Sequence, residues 1–375
     1  MRTTASYDLF PDARSERALA RARWLAREGR MRDAQTAYEE LLATKPELKA
    51  CWAEYFELLR SGSRKDEALQ LADRARAALG ETGFAYTLRG AALAELGRYQ
   101  DALAELERAV EIDPDLALVW HELGYVAYKL GDKNRALLAL DRAFALEPHT
   151  DTLKLRGQVL RDAGRYQAAE VAFEGAAQAA EHAEQRADAE REIKVTQRYG
   201  SYAPRRPDDL SGSERWFAET GTVLLASTPG PVAPSDETLT ATFMEVAAKC
   251  DWQFGQMILL GAEFSWCNVL ADRLGIPLVT AAAFDPAVCP LLVALRPLPA
   301  DRTWTGLVAT LQREGIGLAF TIEHPAESSA LITTDVIGVL TEGGIRRPRA
   351  PNPAQALQEV RHPGGRLAGR RLRRP

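Results

Sequence analysis

Between Phe84 and Pro148 the chain writes its apolar and polar positions twice. The first copy reads AYTLRGAALAELGRYQDALAELERAVEIDP and the second LVWHELGYVAYKLGDKNRALLALDRAFALEP. Gly90 falls on Gly124, Gly97 on Gly131, Ala102 on Ala136, Ala109 on Ala143 and Pro114 on Pro148, a constant offset of 34 residues. A period of that size predicts stacked helical hairpins, because a single hairpin cannot bury its own apolar face and must be covered by its neighbours.

The register extends both ways. Upstream, Trp52, Ala68 and Ala75 keep their places while Ser63 stands where the turn glycine belongs and Gly80 where the proline belongs; further back, Gly29, Ala34, Tyr38 and Pro46 restore the pattern. Downstream, Gly157, Gly164, Tyr166, Ala169, Phe173 and Ala176 continue it with a slip of one residue. This predicts five repeats from about Ser15 to Ala183. The alanine after each turn lets the second helix of a hairpin approach the first within about 8–10 Å. Gly97 and Gly131 close the first helix, and Pro114 and Pro148 end the second. The charged stretch Glu184 to Tyr199 is expected to be a capping helix, with Ala187, Ile193 and Val195 available to face the array.

With an aromatic at the fourth position (Tyr86, Trp120), glycine at the eighth, alanine at the twentieth and twenty-seventh and proline at the thirty-second, the repeats closely resemble the tetratricopeptide repeat family. The resemblance implies an all-α solenoid whose concave groove is lined by the first helix of each repeat, chiefly at its second, fifth, ninth, twelfth and thirteenth positions. Carried over, these are Glu57 and Arg60 in the second repeat, Thr87 and Glu95 in the third, His121, Tyr125, Tyr128 and Lys129 in the fourth, and Lys154, Gln158 and Arg161 in the fifth. Trp52, Tyr86 and Trp120 are assigned to core packing. Chaperone-binding members of the family clamp a terminal carboxylate with a lysine and an asparagine. Here the corresponding fifth and ninth positions hold Thr87 and Ala91, then His121 and Tyr125, which is not a chaperone-tail receptor's pattern.

After Gly200 the pattern changes. Residues 200–212 are rich in proline, glycine, serine and charge and read as a linker. Then come short apolar, β-branched runs: TVLLAS, QMILLGA, IPLVTAAA, CPLLVALRP, GIGLAFTI and ALITTDVIGVL. Helix-length stretches lie between some of them: Asp236 to Lys249 behind the N-cap candidate Ser235, Glu263 to Leu274 ending at Gly275, and Arg302 to Glu314 ending at Gly315. Continuous apolar strands alternating with helices predict a small α/β domain over 213–341 with a mostly parallel sheet covered on both faces. The last two strands follow each other without a helix, so an antiparallel edge is expected there.

Ligands of open α/β sheets sit at the carboxyl ends of strands, which nominates Ser227 and Thr228, Glu263 to Asn268, and Asp285. The competing structural readings are a helix N-cap for Glu263 and an Asp-Pro turn for Asp285. No phosphate-loop, dinucleotide or nucleophile-elbow signature occurs, and His324, after a strand, has no catalytic companion in sequence.

Composition adds little until charge is located. The 375 residues are 46% hydrophobic and 26% charged, which fits a multidomain globular chain. There is no signal-peptide h-region and no uncharged apolar run long enough to span a bilayer, so a cytoplasmic protein is expected. Cys51, Cys250, Cys267 and Cys289 form no CxxC, and with five scattered histidines no metal site or cofactor is predicted. From Gly343 onward nine arginines face only Glu359, so this tail carries +8 and leaves −13 on the rest of a chain of net charge −5. Poor in apolar residues, the basic segment 342–375 is expected to be disordered. Its arginines could neutralise nucleic-acid phosphates, dock on an acidic surface or remain solvated; without aromatic residues they offer no base stacking. The expected organisation is an N-terminal tail (1–14), the solenoid with its capping helix (15–199), the linker, the α/β domain and the basic tail. The expected function is a non-enzymatic scaffold that holds a peptide or protein segment in the groove, with the α/β domain as a second docking surface or a contact between copies. The alternative is a ligand-binding or catalytic α/β domain to which the repeats recruit substrate or control access.

Overall fold

The structure, a computed structural model, describes residues 13–229, 235–260, 265–285, 287–295, 301–314, 316–325, 334–342, 345–346 and 349–351. The chain divides into two compact units: Met1–Leu160 with Val171–Arg186, and Arg161–Glu170 with Ala187–Pro375.

Five helical hairpins follow one another: α1 (Ala13–Arg27) and α2 (Met31–Thr44), α3 (Lys49–Ser61) and α4 (Lys65–Leu79), α5 (Gly83–Glu95) and α6 (Tyr99–Ile112), α7 (Ala117–Lys129) and α8 (Lys133–Leu146), α9 (Thr150–Asp162) and α10 (Tyr166–Ala179). Helix α11 (Ala183–Gly200) closes the series. Glycines 97 and 131 end α5 and α7 at φ +74° and +87°. Ser63 ends α3 at φ +55°, so the second repeat keeps the left-handed turn even without its glycine.

The small residues set how closely the helices pack. A Cβ built on Gly90 would lie 2.7 Å from Leu106 Cγ, and one on Gly157 2.7 Å from Phe173 Cζ. Ala68, Ala102, Ala136 and Ala169 are fully buried at the facing positions. The glycine of the first helix thus receives a large side chain from the second, which the alanine argument alone does not anticipate. The aromatic fourth position is core, as expected, in Trp52 and Tyr86. Trp52 donates its indole N–H to Pro46 O at 2.7 Å and the half-buried Trp120 to Pro114 O at 2.8 Å, so each tryptophan ties a repeat to the proline that ended the one before.

The second unit takes in the end of the helical array. In α11 the buried side chains are Ala189, Thr196, Arg198 and Tyr199, while Ala187 is exposed and Ile193 and Val195 are half-buried. Of the three residues nominated for the packed face, Ala187 is exposed, whereas Val195 packs against the cluster of Tyr166, Tyr199, Leu210 and Ala218. The 200–212 segment is built into this unit: Pro207 to Asp209 form a 3-10 turn, Pro207 and Leu210 are buried, and Tyr166 donates to Arg205 O at 2.5 Å. Arg205 grips Glu214 through two 2.8 Å hydrogen bonds. Helix α12 (Gly212–Thr220) starts at a capping box between Ser211 and Glu214.

Six strands form one parallel sheet in the order β1 (Val223–Leu224), β7 (Val336–Glu342), β6 (Leu318–Pro325), β5 (Pro290–Ala294), β3 (Gln256–Leu260) and β4 (Leu278–Val279). Helices α13 (Asp236–Lys249) and α14 (Ser265–Leu274) cover one face, where Phe243, Cys267 and Leu270 meet Met257, Leu291, Val293, Leu318 and Phe320. Helix α15 (Arg302–Glu314) covers the other, with Trp304, Val308 and Leu311 against Ile258, Leu292 and Ala319. Successive strand residues thus enter opposite cores, which is why the runs read as continuously apolar. Ser235 caps α13 as expected, accepting from Thr238 N at 3.2 Å.

Two expectations are corrected. Strands β6 and β7 run parallel. Ten residues separate Pro325 from Val336. The antiparallel pairs are instead β7 with β8 (Ile345–Arg346) and β2 (Ala226–Pro229) with β9 (Arg349–Pro351). The basic segment is accordingly not wholly without structure, since its first residues add these strands; residues 352–375 lie outside the described residues.

Candidate partner-binding groove

Stacking the hairpins brings the first helices of the repeats to one face, with α5 touching both α3 and α7. There a cavity of about 440 Å³ opens between Glu57 and Arg60 of α3, Ala117, Leu118, His121 and Glu122 of α7, and Glu147, His149, Asp151 and Thr152 around the start of α9. Three of the nominated groove residues, Glu57, Arg60 and His121, line it. Arg60 pairs with Glu57 at 2.8 Å and reaches Glu95 of α5 at 3.7 Å, so the nominated Glu95 joins the same cluster.

His121 Nδ1 lies 3.0 Å from Thr152 Oγ1. Burial, with His149 and Arg60 adding, pushes its imidazole down to about 4, against the pull of Asp151, so the ring is neutral at physiological pH. Glu122, partly exposed, shows the converse. Burial first, then the charges of Glu57 and Glu95, push its carboxyl up to about 7, with Arg60 opposing. It has no hydrogen-bond partner among the described residues.

One and two turns along α7 from His121 stand Tyr125 and Lys129, with Lys129 Nζ 5.3 Å from the Tyr125 ring centroid and 5.9 Å from that of Tyr128. Lys154 and Gln158 are half-buried on α9. Arg161 is already engaged: it pairs with Glu192 of α11 at 2.5 Å and lies over the Tyr199 ring. Thr87 is fully buried and donates to Gly83 O at 2.7 Å, and Ala91 is buried beside it, so neither offers a surface.

Glu122 was missed because it occupies the sixth helix position, outside the five that the resemblance supplies. A carboxylate inside the apolar run LVWHELGYVAY was the available signal.

The nominated α/β residues do not come together in the same way. Ser227 and Thr228 lie on β2, in the two-stranded sheet and not at a carboxyl end of the main one. Asn268 is exposed on α14, and Glu263 lies outside the described residues. Asp285 makes a turn, its Oδ1 accepting from Ala287 N at 2.9 Å. The buried Gln256 fastens that turn, accepting from Asp285 N at 3.0 Å and donating to Val288 O at 2.7 Å. His324 lies within β6, buried, with its ring edge-on to Trp216 at 5.5 Å between centroids. Among the described residues no cluster of histidine, cysteine, aspartate and glutamate has metal-site geometry, and no helix is long and apolar enough to cross a membrane.

Two family models match the array, one described as TPR repeat over residues 90–131 and one as tetratricopeptide repeat over residues 117–150. A curated relative, the Hsp70-Hsp90 organizing protein of Triticum aestivum, is 44% identical over 69 residues. That match takes in 18% of this chain and spans 12% of the relative's own length. Among solved structures, a thermophilic TPR protein of Thermus thermophilus is similar at 20% identity and a TM-score of 0.42, over 48% of this chain and 98% of its own. PilW, a type IV pilus biogenesis factor, is similar at 19% identity and a TM-score of 0.42, over 52% and 89%.

Proposed function

From a chain that carries tetratricopeptide repeats and is thereby a protein-interaction scaffold, we propose an adaptor that holds a segment of another protein in the groove formed by α3, α5, α7 and α9. The observation that carries this reading is the open cavity of about 440 Å³ on the helix face where the repeat family binds its partners. Its walls combine an apolar surface at Ala117 and Leu118 with charged groups, and the half-buried Tyr125 and Tyr128 follow along α7. Tyrosine and arginine are the residue types on which interface energy concentrates. With four free cysteines and no bridge among them, the adaptor fits a reducing compartment such as the cytoplasm.

Selection of peptides from a random displayed library on the full-length chain tests the reading. Binders that lose affinity with Tyr125→Ala and Lys129→Ala together are expected. Binders indifferent to that double substitution would move the site off the groove.

A second reading rests on topology. From β3 the chain passes to β4 on one side and returns to β5 on the other, so the connections diverge between the carboxyl ends of β3 and β5. Open α/β sheets seat ligands at such a divergence, and the nominated Glu263 follows β3. A thermal-shift screen of the full chain against nucleotides and metabolites tests this: a saturable rise following RT ln(1 + [L]/Kd) supports a ligand-binding α/β domain.

A further inference from the structure

We propose that the segment held in the groove presents a lysine or arginine whose aliphatic stem lies along Ala117 and Leu118 and whose cationic head meets Glu122. This inference rests on the groove-binding reading above and names the chemistry of its occupant.

The charged and titratable groups lining the cavity come from three places: Glu57 and Arg60 from α3, His121 and Glu122 from α7, and Glu147, His149 and Asp151 around the start of α9, with Glu95 of α5 close behind Arg60. Four carboxylates, with Glu95 behind them, and two histidines, of which His121 is neutral, surround one guanidinium. That guanidinium is already shared, 2.8 Å from Glu57 and 3.7 Å from Glu95, so it offers an incoming anion little attraction and leaves Glu122 without a cation of its own. An anionic segment would add repulsion to a site already rich in carboxylates. An uncharged one would further desolvate Glu122 and give it no partner.

A basic side chain answers both needs. Lysine and arginine bury their methylene stems on apolar surface while the head stays polar, and the cavity sets Ala117 and Leu118 beside the carboxylates in that arrangement. The bound cation also stabilises the ionised form of Glu122. Burial pushes this carboxyl up to about 7, so near neutral pH a fraction is protonated. On binding, the carboxyl O–H loses its proton to solvent, and the carboxylate pairs with an ammonium or guanidinium that keeps its own charge. Binding therefore releases protons and strengthens as pH rises through the neutral range.

Peptides selected from a random displayed library on the full-length chain, then synthesised and titrated calorimetrically at pH 6 and pH 8 in buffers of different ionisation enthalpy, test the inference. The selected sequences are expected to share a basic position. Its replacement by glutamine should weaken binding by at least about tenfold, and Glu122→Gln should weaken the parent peptide comparably and remove the proton release. The two substitutions combined should cost little more than either alone. Binders without a basic position, or unaffected by Glu122→Gln, yet still lost in the Tyr125→Ala and Lys129→Ala chain, would overturn the cation inference and leave the groove reading standing. Failure to select any peptide sensitive to groove substitutions would overturn both.

Discussion

Gly124 of α7 and Leu140 of α8 compete for one volume: a Cβ on the glycine would lie 2.6 Å from Leu140 Cγ, inside van der Waals contact. Leu140 is fully buried and cannot swing out to solvent. Gly124→Ala gains up to about 1 kcal/mol of helix propensity but forces overpacking that typically costs about 1–3 kcal/mol. The variant should therefore unfold at lower urea than the parent. A stabilised variant would show that the α7–α8 contact yields without strain.

Ser63 offers the opposite opportunity. It holds φ +55° at the turn after α3, a conformation in which a side chain is strained. Ser63→Gly should relieve that strain and gain up to about 1 kcal/mol, since glycine's larger unfolded-state entropy offsets part of the benefit. Thermal unfolding of the two chains measures it, and a lowered midpoint would contradict the account.

These two positions show what the sequence makes legible. The 34-residue period, the alanines and the turn residues are steric requirements repeated at fixed spacing, so they appear directly as residue type. Helices α13 and α14 were readable for a similar reason, because the Ser235 cap starts the first and Gly275, at φ +67°, ends the second. The direction of β7 was not, since apolar alternation is the same for parallel and antiparallel strands. Arg161 looked like a groove residue because helix position says nothing of α11, whose Glu192 claims it. Glu122 escaped because its environment depends on α3 and α5 arriving at α7.

Arg198 ties the end of α11 to the end of α12. It is 5% exposed and donates from Nε to Ala218 O at 2.8 Å and from Nη2 to Glu219 O at 3.1 Å. These carbonyls lie in the last turn of α12, where a cation also complements the helix dipole. Arg198→Met keeps much of the stem and removes the charge-assisted bonds, so it should destabilise the second unit by about 1.5–3 kcal/mol. Hydrogen exchange should rise first in α12; an unchanged exchange pattern would show that the carbonyls find other donors.

Burial pushes the thiols of Cys51 and Cys267 up to about 12, and raises Cys289 by the same cause against a backbone hydrogen bond from Gly317. Thiolate is the reactive form, so these three should stay inert to an aromatic disulfide reagent at pH 8 until the chain unfolds. Cys250, less buried at the end of α13, should react first. Fast native-state labelling of Cys51 would mean that the second repeat opens locally.

The pH dependence of stability separates Glu122 from its neighbour His121. The glutamate rises from an ordinary 4.5 to about 7 on folding, so the folded chain retains a proton that the unfolded chain has released. Its contribution is full below about pH 4.5 and is lost progressively as pH rises to about 7, by at most about 3 kcal/mol at 1.36 kcal/mol per pH unit. The histidine falls from an ordinary 6.5 to about 4, so its contribution is full above pH 6.5 and is lost as pH falls towards 4. Between about pH 4.5 and 6.5 the two slopes therefore oppose each other. Glu122→Gln removes only the first. Relative to the parent, the variant should gain little or nothing at pH 4.5 and progressively more up to pH 8, read from urea midpoints at pH 4.5, 6 and 8. A shift of equal size at all three would mean that Glu122 titrates alike in the folded and unfolded chains, and that the cavity does not hold it apart from water.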